Sequence, residues 1–154
     1  MGESPADRGG GWVLAQSALL VALLVSGPLG NGQGTGAVLQ SAGGLLCLAG
    51  AAIGLAGAIT LGRNRTVFPK PRAGAVLVQR GIYAWMRHPL YTSVVLLALG
   101  WSLLWRSTPA LAIAALLAVF LDRKARREEV WLREQFPEYA DYARRVRRFV
   151  PFLY

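Results

Sequence analysis

The sequence predicts an all-α integral membrane protein with about four transmembrane helices, a helical hairpin among them, and two amphipathic C-terminal helices at the cytosolic surface. Three observations predict it. Of the 154 residues 54% are hydrophobic and the mean hydropathy is positive, too apolar for an ordinary soluble fold of this size. The apolar residues gather into four segments, 12–26, 37–61, 90–105 and 109–121. The basic residues, which bring the formal net charge to +9, sit between and after those segments, where they read as cytoplasmic anchors and not as a nucleic-acid surface.

Segment 12–26 is short for a span. A signal peptide is its alternative reading, because Arg8 precedes it and it runs into the small residues Ser26 and Gly27. The uncharged stretch 27–36, GPLGNGQGTG, is the outer turn. Segment 37–61 spans a bilayer alone, since at ~1.5 Å per residue it exceeds the ~30 Å hydrocarbon core. It carries Gly43, Gly44, Gly50, Gly54 and Gly57, and small residues at such spacings let helix backbones approach closely in lipid. Packing within the bundle is the expected use, with a dimer interface as the alternative.

Segments 90–105 and 109–121 are shorter and need flanking turns, local thinning or burial against the long helix. Arg63, Arg65, Lys70, Arg72, Arg80 and Arg87 fill the loop after the second segment, and a second basic run follows the fourth, whereas Arg106 stands alone between the third and fourth. The positive-inside rule then places the central loop and both termini in the cytoplasm, in a multi-pass protein. Beyond residue 121 two amphipathic helices are expected, 122–136 and 138–148, broken by Pro137 and ended by Pro151. Val130, Trp131, Phe136, Tyr139, Tyr142, Val146 and Phe149 give them a face that lies on the membrane or covers the cytoplasmic end of the bundle.

Cys47 is the only cysteine and His88 the only histidine, so neither a disulfide framework nor a metal site built from these residues is expected. Ala6 occupies the place where a myristoylation signal requires Ser or Thr. Cys47 is expected to serve helix packing.

Two polar clusters meet the same membrane face. One is RGIYAWMRHPLY, residues 80–91, in which Pro89 suits the first turn of a membrane helix and His88 its entry. Arg87 and His88 strengthen the anion affinity of that helix start. The other is Glu128 and Glu129, followed by Tyr139 and Tyr142. Taken alone, the two acids are expected to pair with Arg126, Arg127 or Arg133 at helical spacing; the alternative is that, with adjacent residues projecting about 100° apart, one pairs with arginine while the other turns to a pocket.

The run GIYAWMRHPLY, then a helical hairpin, then EEVWLREQFPEYADYARRVRRFVPF resembles the isoprenylcysteine carboxyl methyltransferase family, which shares its C-terminal region with phospholipid N-methyltransferases. The resemblance runs from about residue 61 to 151 and includes LGRNRTVFPKPRAGAVLVQRG. It implies two parts: N-terminal transmembrane helices in 1–61, and a methyltransferase core in 62–154 with a cytosolic loop, a hairpin and cofactor-covering helices. It implies S-adenosylmethionine as cofactor, held by His88, Pro89, Tyr91, Glu128, Glu129, Tyr139 and Tyr142, and a lipophilic acceptor near Arg87, with Arg87 and Glu129 as catalytic residues. Ser93 departs from the glycine common at its place, and FPEY is one residue shorter than the related pattern, with Pro137 for Gly.

The chemistry of such a cofactor suits these residues. Its carboxylate matches the helix start with His88, its ammonium and ribose match a glutamate, and its sulfonium and adenine match tyrosine faces. A carboxylate acceptor needs no base and would be oriented by Arg87; an amine acceptor would make a glutamate or His88 a base. The rival expectations are a non-catalytic membrane interaction protein and a nicotinamide-dependent reductase. The reductase would want a glycine fingerprint after a strand, which the sequence lacks.

Overall fold

The computed structural model describes residues 9–30, 36–62 and 74–151. Among them the chain forms α1 (Gly10–Leu29), α2 (Ala37–Leu61), a short 3-10 turn (Gly81–Ala84), α3 (Pro89–Leu104), α4 (Thr108–Gln135) and α5 (Tyr139–Arg145). The centre of the expected outer turn, the N-terminal residues with Arg8, and Arg63, Arg65, Lys70 and Arg72 of the basic loop lie outside the described residues.

The four long helices run antiparallel, each to the next. At one end the Ser107 hydroxyl donates to the Ser26 carbonyl at 2.7 Å and the Gln40 amide reaches the Leu104 carbonyl at 3.4 Å. At the other end Gly57 of α2 lies against Pro89 and Leu90, and Gly81 against Thr60. The turn between α3 and α4 is sharp. Arg106 adopts φ 50°, and Ser107 then caps α4 by accepting from the Ala110 N–H at 3.2 Å.

α1 and α2 are long and apolar enough to cross a membrane, and α3 is a shorter apolar helix. Leu14, Val21, Leu24 and Val25 of α1, and Leu45, Leu48, Leu55 and Ile59 of α2, are all exposed. Apolar surface of that extent belongs in lipid and not in water, so the protein has membrane character. The buried centre is formed by Leu23 of α1, Ala98 of α3 and Ala110, Ala114, Leu117 and Leu121 of α4.

α2 and α3 touch along a glycine seam. Gly43, Gly50 and Gly57 are buried one heptad apart. A Cβ at Gly43 would stand 2.8 Å from the Gly100 carbonyl oxygen, and one at Gly50 would stand 3.0 Å from that of Ser93. Ser93, the departure noted above, donates its hydroxyl to the Gly50 carbonyl at 2.7 Å and so fastens the seam. Cys47 packs in it against Gly100, as expected of a helix-packing residue.

Two boundaries differ from expectation. The fourth apolar segment and the first amphipathic helix are one continuous 28-residue helix, α4. Polarity changes at Asp122, but no Gly or Pro interrupts residues 110–135, and Ala, Leu, Arg and Glu all favour helix. At ~1.5 Å per residue α4 is about 42 Å long, more than the ~30 Å thickness of a hydrocarbon core. The last helix, expected over 138–148, ends at Arg145 because the following backbone pairs elsewhere. Met86 and Arg147 form a parallel bridge, and the Arg87 and His88 N–H groups donate to the Arg147 and Arg148 carbonyls at 2.9 and 3.0 Å.

The seam makes a direct prediction for stability in detergent. Gly50→Leu overpacks it and should cost about 1–3 kcal/mol. Gly44→Ala, where nothing lies within 4 Å of a new Cβ, should be neutral or stabilising by up to about 1 kcal/mol. Denaturant or thermal unfolding followed by tryptophan fluorescence distinguishes the two.

Candidate active site

Three backbone features bring the site together. Gly81, at φ 57°, opens the 3-10 turn and buries Tyr83. Pro89 starts α3, leaving His88 at the helix entry. The strap of residues 146–149 runs back along 86–88, and the Thr92 hydroxyl donates to the Phe149 carbonyl at 3.1 Å. α4 then delivers Glu128 and Glu129 to the same end of the bundle.

Glu129 is 1% exposed and surrounded by cations. Its Oε1 accepts from Arg87 Nη2 and Arg148 Nε, both at 2.9 Å, and lies 3.2 Å from His88 Nε2. Its Oε2 accepts from Arg148 Nη2 at 3.0 Å, with Arg133 at 3.8 Å. Burial alone would push this carboxyl up, but the hydrogen bonds and charges of His88, Arg148 and Arg87 outweigh it and hold the carboxyl well below the usual range. Arg87 also donates to the Ala143 carbonyl at 2.9 Å and to that of Val146, satisfying the end of α5. One buried carboxylate thus joins the start of α3, α4, α5 and the strap.

Glu128 faces differently. Its side chain is 23% exposed and lines a cavity of about 120 Å³. Oε2 accepts from the Tyr91 hydroxyl at 2.8 Å and stands 3.7 Å from His88 Nδ1. Burial pushes the Glu128 carboxyl up, against the opposing pull of His88, the Tyr91 hydroxyl and Lys124. The two nitrogens of His88 therefore face one glutamate each, and its ring stacks on Tyr91 at 5.4 Å with 2° between planes.

The aromatic cover of the cavity comes from Phe136, Tyr139 and Tyr142, packed with Leu77, Leu132 and Val146. The Tyr142 hydroxyl donates to the Tyr83 carbonyl at 2.6 Å. The Tyr139 hydroxyl is buried without a hydrogen-bond partner among the described residues. Burial pushes the Tyr83, Tyr139 and Tyr142 phenols up, so all three stay neutral at physiological pH.

Of the residues expected at the site, Arg87, His88, Tyr91, Glu128, Tyr139 and Tyr142 line the cavity. Pro89 is buried at the base of α3 against α2, and Glu129 turns both oxygens to cations behind the lining. Tyr139 reaches the cavity despite the shortened FPEY turn, because Pro137 and Glu138 form a tight turn directly before α5. Tyr83 and the stretch 75–78 also line it and were not singled out. Tyr83 belongs to the run GIYAWMRHPLY, but no spacing rule marks 75–78.

The fold is shared with a protein of known structure that works within the membrane. The chain superposes on the eukaryotic intramembrane Ras methyltransferase, isoprenylcysteine carboxyl methyltransferase, with a TM-score of 0.68, covering 99% of this chain and 55% of that one at 22% identity. Residues 38–139 match the phospholipid methyltransferase family model, and the chain belongs to that family. It is 39% identical over 83 residues to a cobalt-zinc-cadmium resistance protein of Cupriavidus metallidurans, covering 53% of this chain and 38% of the relative. It is 35% identical over 92 residues to the protein-S-isoprenylcysteine O-methyltransferase of Saccharomyces cerevisiae, covering 58% and 38%. With form B of that enzyme from Arabidopsis thaliana it shares 34% over 99 residues, covering 62% and 50%. The chain spans half or less of the length of these curated relatives.

The two glutamates should separate experimentally. Glu129→Gln leaves the guanidinium groups of Arg87 and Arg148 without their buried counter-charge and should cost about 3–5 kcal/mol of stability. A carboxyl held below its unfolded value of about 4.3 stabilises the fold above that pH and loses the contribution as pH falls through the folded value. Wild type should therefore weaken steeply on acidification below about pH 4, whereas Glu129→Gln gives a flatter curve. Denaturation midpoints across pH provide the check.

Proposed function

We propose that this protein is an integral membrane methyltransferase that uses S-adenosylmethionine and methylates a lipophilic acceptor, first among them a carboxylate of the isoprenylcysteine kind. The observation that carries the proposal is the composition of the cavity: a carboxylate, Glu128, the Arg87 guanidinium with the His88 imidazole beside it, and the tyrosines 83, 91, 139 and 142 in one space. Family membership and the named isoprenylcysteine O-methyltransferase relatives support it.

The residues fit the cofactor. Tyr139 offers a buried hydroxyl in need of a partner, Glu128 a counter-charge for an ammonium or a partner for ribose, and His88 at the start of α3 a partner for a carboxylate. When bound, S-adenosylmethionine supplies a methyl group activated on a sulfonium. The protein's task is to hold donor and acceptor aligned and to keep water out. Arg87, fixed through Glu129 and the end of α5, presents positive charge at the cavity edge and orients an acceptor carboxylate. Glu129 serves by positioning Arg87, His88 and Arg148. A carboxylate acceptor arrives ionised and needs no base.

A phospholipid amine is the second reading, favoured by the description of the matched family. An amine must shed a proton, and Glu128, whose carboxyl burial pushes up, is the base that lines the cavity. The topology that goes with both readings has four spans, with the cavity and both termini on the cytoplasmic side. Arg80, Arg87 and the arginines of α4 and α5 stand at the cavity end of the bundle, which supports that orientation.

Calorimetric titration of the purified protein in detergent with S-adenosylmethionine and its demethylated product tests the proposal. Saturable binding is expected, weakened at least tenfold, about 1.4 kcal/mol, in His88→Ala and in Glu128→Gln. A folded wild type that binds neither compound would instead support a non-catalytic membrane protein.

A further inference from the structure

Lys124 is buried at 3% exposure, an unusual place for an ammonium. It lies one turn before Glu128 on α4, and its Nζ donates to Gln16 Oε1 of α1 at 2.7 Å. The same Nζ stands 5.4 Å over the ring of Tyr91, whose hydroxyl donates to Glu128 and whose face stacks on His88. Lys124 is absent from the cavity lining and stands behind Tyr91. Gln16 and all of α1 lie outside the residues that match the family model.

We infer that Lys124, moored by Gln16, is a positioning residue of the site: its ammonium over the ring of Tyr91 seats the hydroxyl that meets Glu128 and places a positive charge one helical turn from that carboxyl, so that α1 is a working part of the site. The inference deepens the methyltransferase proposal and rests on it for the use of Glu128. The charged and titratable groups that act on Glu128 are Lys124 and Glu129 from α4, His88 and Tyr91 from the α3 entry, Tyr83 from the 3-10 turn and Tyr139 from α5. Among these Lys124 and His88 favour the ionised carboxylate by charge, the Tyr91 hydroxyl favours it by hydrogen bonding, and Glu129 opposes it. Burial works against the lysine ammonium as well, and Glu128 is the charge that pulls it back toward the protonated form. The Gln16 carbonyl oxygen supplies a hydrogen bond that an ammonium, with three donors, needs in a dry place.

The test follows the carboxyl itself. Infrared difference titration of the full chain in detergent, without cofactor, reads Glu128 as the protonated C=O band that disappears in E128Q. Removing the positive charge in K124M or K124Q should move the midpoint of that band upward by about one pH unit. K124R should keep the wild-type midpoint, and Q16L should move it in the same direction by less. Cofactor titrations at each pH should show the same displacement of the binding profile. A folded K124M or K124Q with the wild-type midpoint overturns the inference. If K124M does not fold, K124Q and Q16L make the same comparison. A wild type with a Glu128 band but no affinity for S-adenosylmethionine overturns the methyltransferase reading and leaves the infrared result to decide the role of Lys124.

Discussion

The structure depends on a carboxylate that water does not reach. Glu129 is neutralised by Arg87 and Arg148, with His88 within hydrogen-bond distance and Arg133 at longer range, and these partners come from separate parts of the chain. Taking a charge out of water costs several kcal/mol, and the cost is offset only when the partners arrive in good geometry. The arrangement therefore demands that the start of α3, the exit of α4 and the strap occupy one relative position. Such a cluster adds little net stability over apolar side chains of the same volume, yet breaking it by removing one partner is costly. In a chain with a net charge of +9 it also absorbs the repulsion among arginines that would otherwise splay this end of the bundle.

Its neighbour shows what one residue of helical rotation does. Glu128 and Glu129 share a backbone and a basic environment, yet one is sequestered among cations and the other opens on the cavity beside Tyr91. The division follows from helix geometry, since about 100° separates adjacent side chains and only one of the two faces the strap. His88 links the halves, with one ring nitrogen toward each carboxylate. A change in charge on the cavity side therefore reaches the structural hub through this imidazole as well as through Arg87, which lines the cavity and bonds Glu129.

Much of this was legible in the sequence because it is local. The span 37–61 coincides with α2, since a long apolar run with no charge has few alternatives in lipid. Pro89 marked the start of α3 because its missing N–H is harmless only there. The continuity of α4 was not legible from hydropathy, which reports surroundings and not helix propensity; the unbroken run of helix formers through Asp122 was the signal that counted. The early end of α5 depends on backbone bonds to residues 87 and 88, which leave no periodic trace. Lys124 and Gln16 are 108 residues apart, and a lone lysine in a basic run looks like any other surface cation until α1 is laid beside α4.

The strap also sets an order of events during biosynthesis. Arg87 and Val146, whose side chain and carbonyl meet in the finished site, are 59 residues apart along the chain. At the usual pace of synthesis Arg87 leaves the ribosome some seconds, on the order of ten, before its last partners exist. Glu129 waits a shorter time for Arg148, and until it comes only partners made earlier, Arg87 first among them, can meet its charge. The hairpin of α3 and α4 is complete in the chain before the residues of the strap are added. A nascent chain that stops short of the strap lacks the Val146 carbonyl and the Arg148 guanidinium, and with them part of what fixes Arg87 and Glu129.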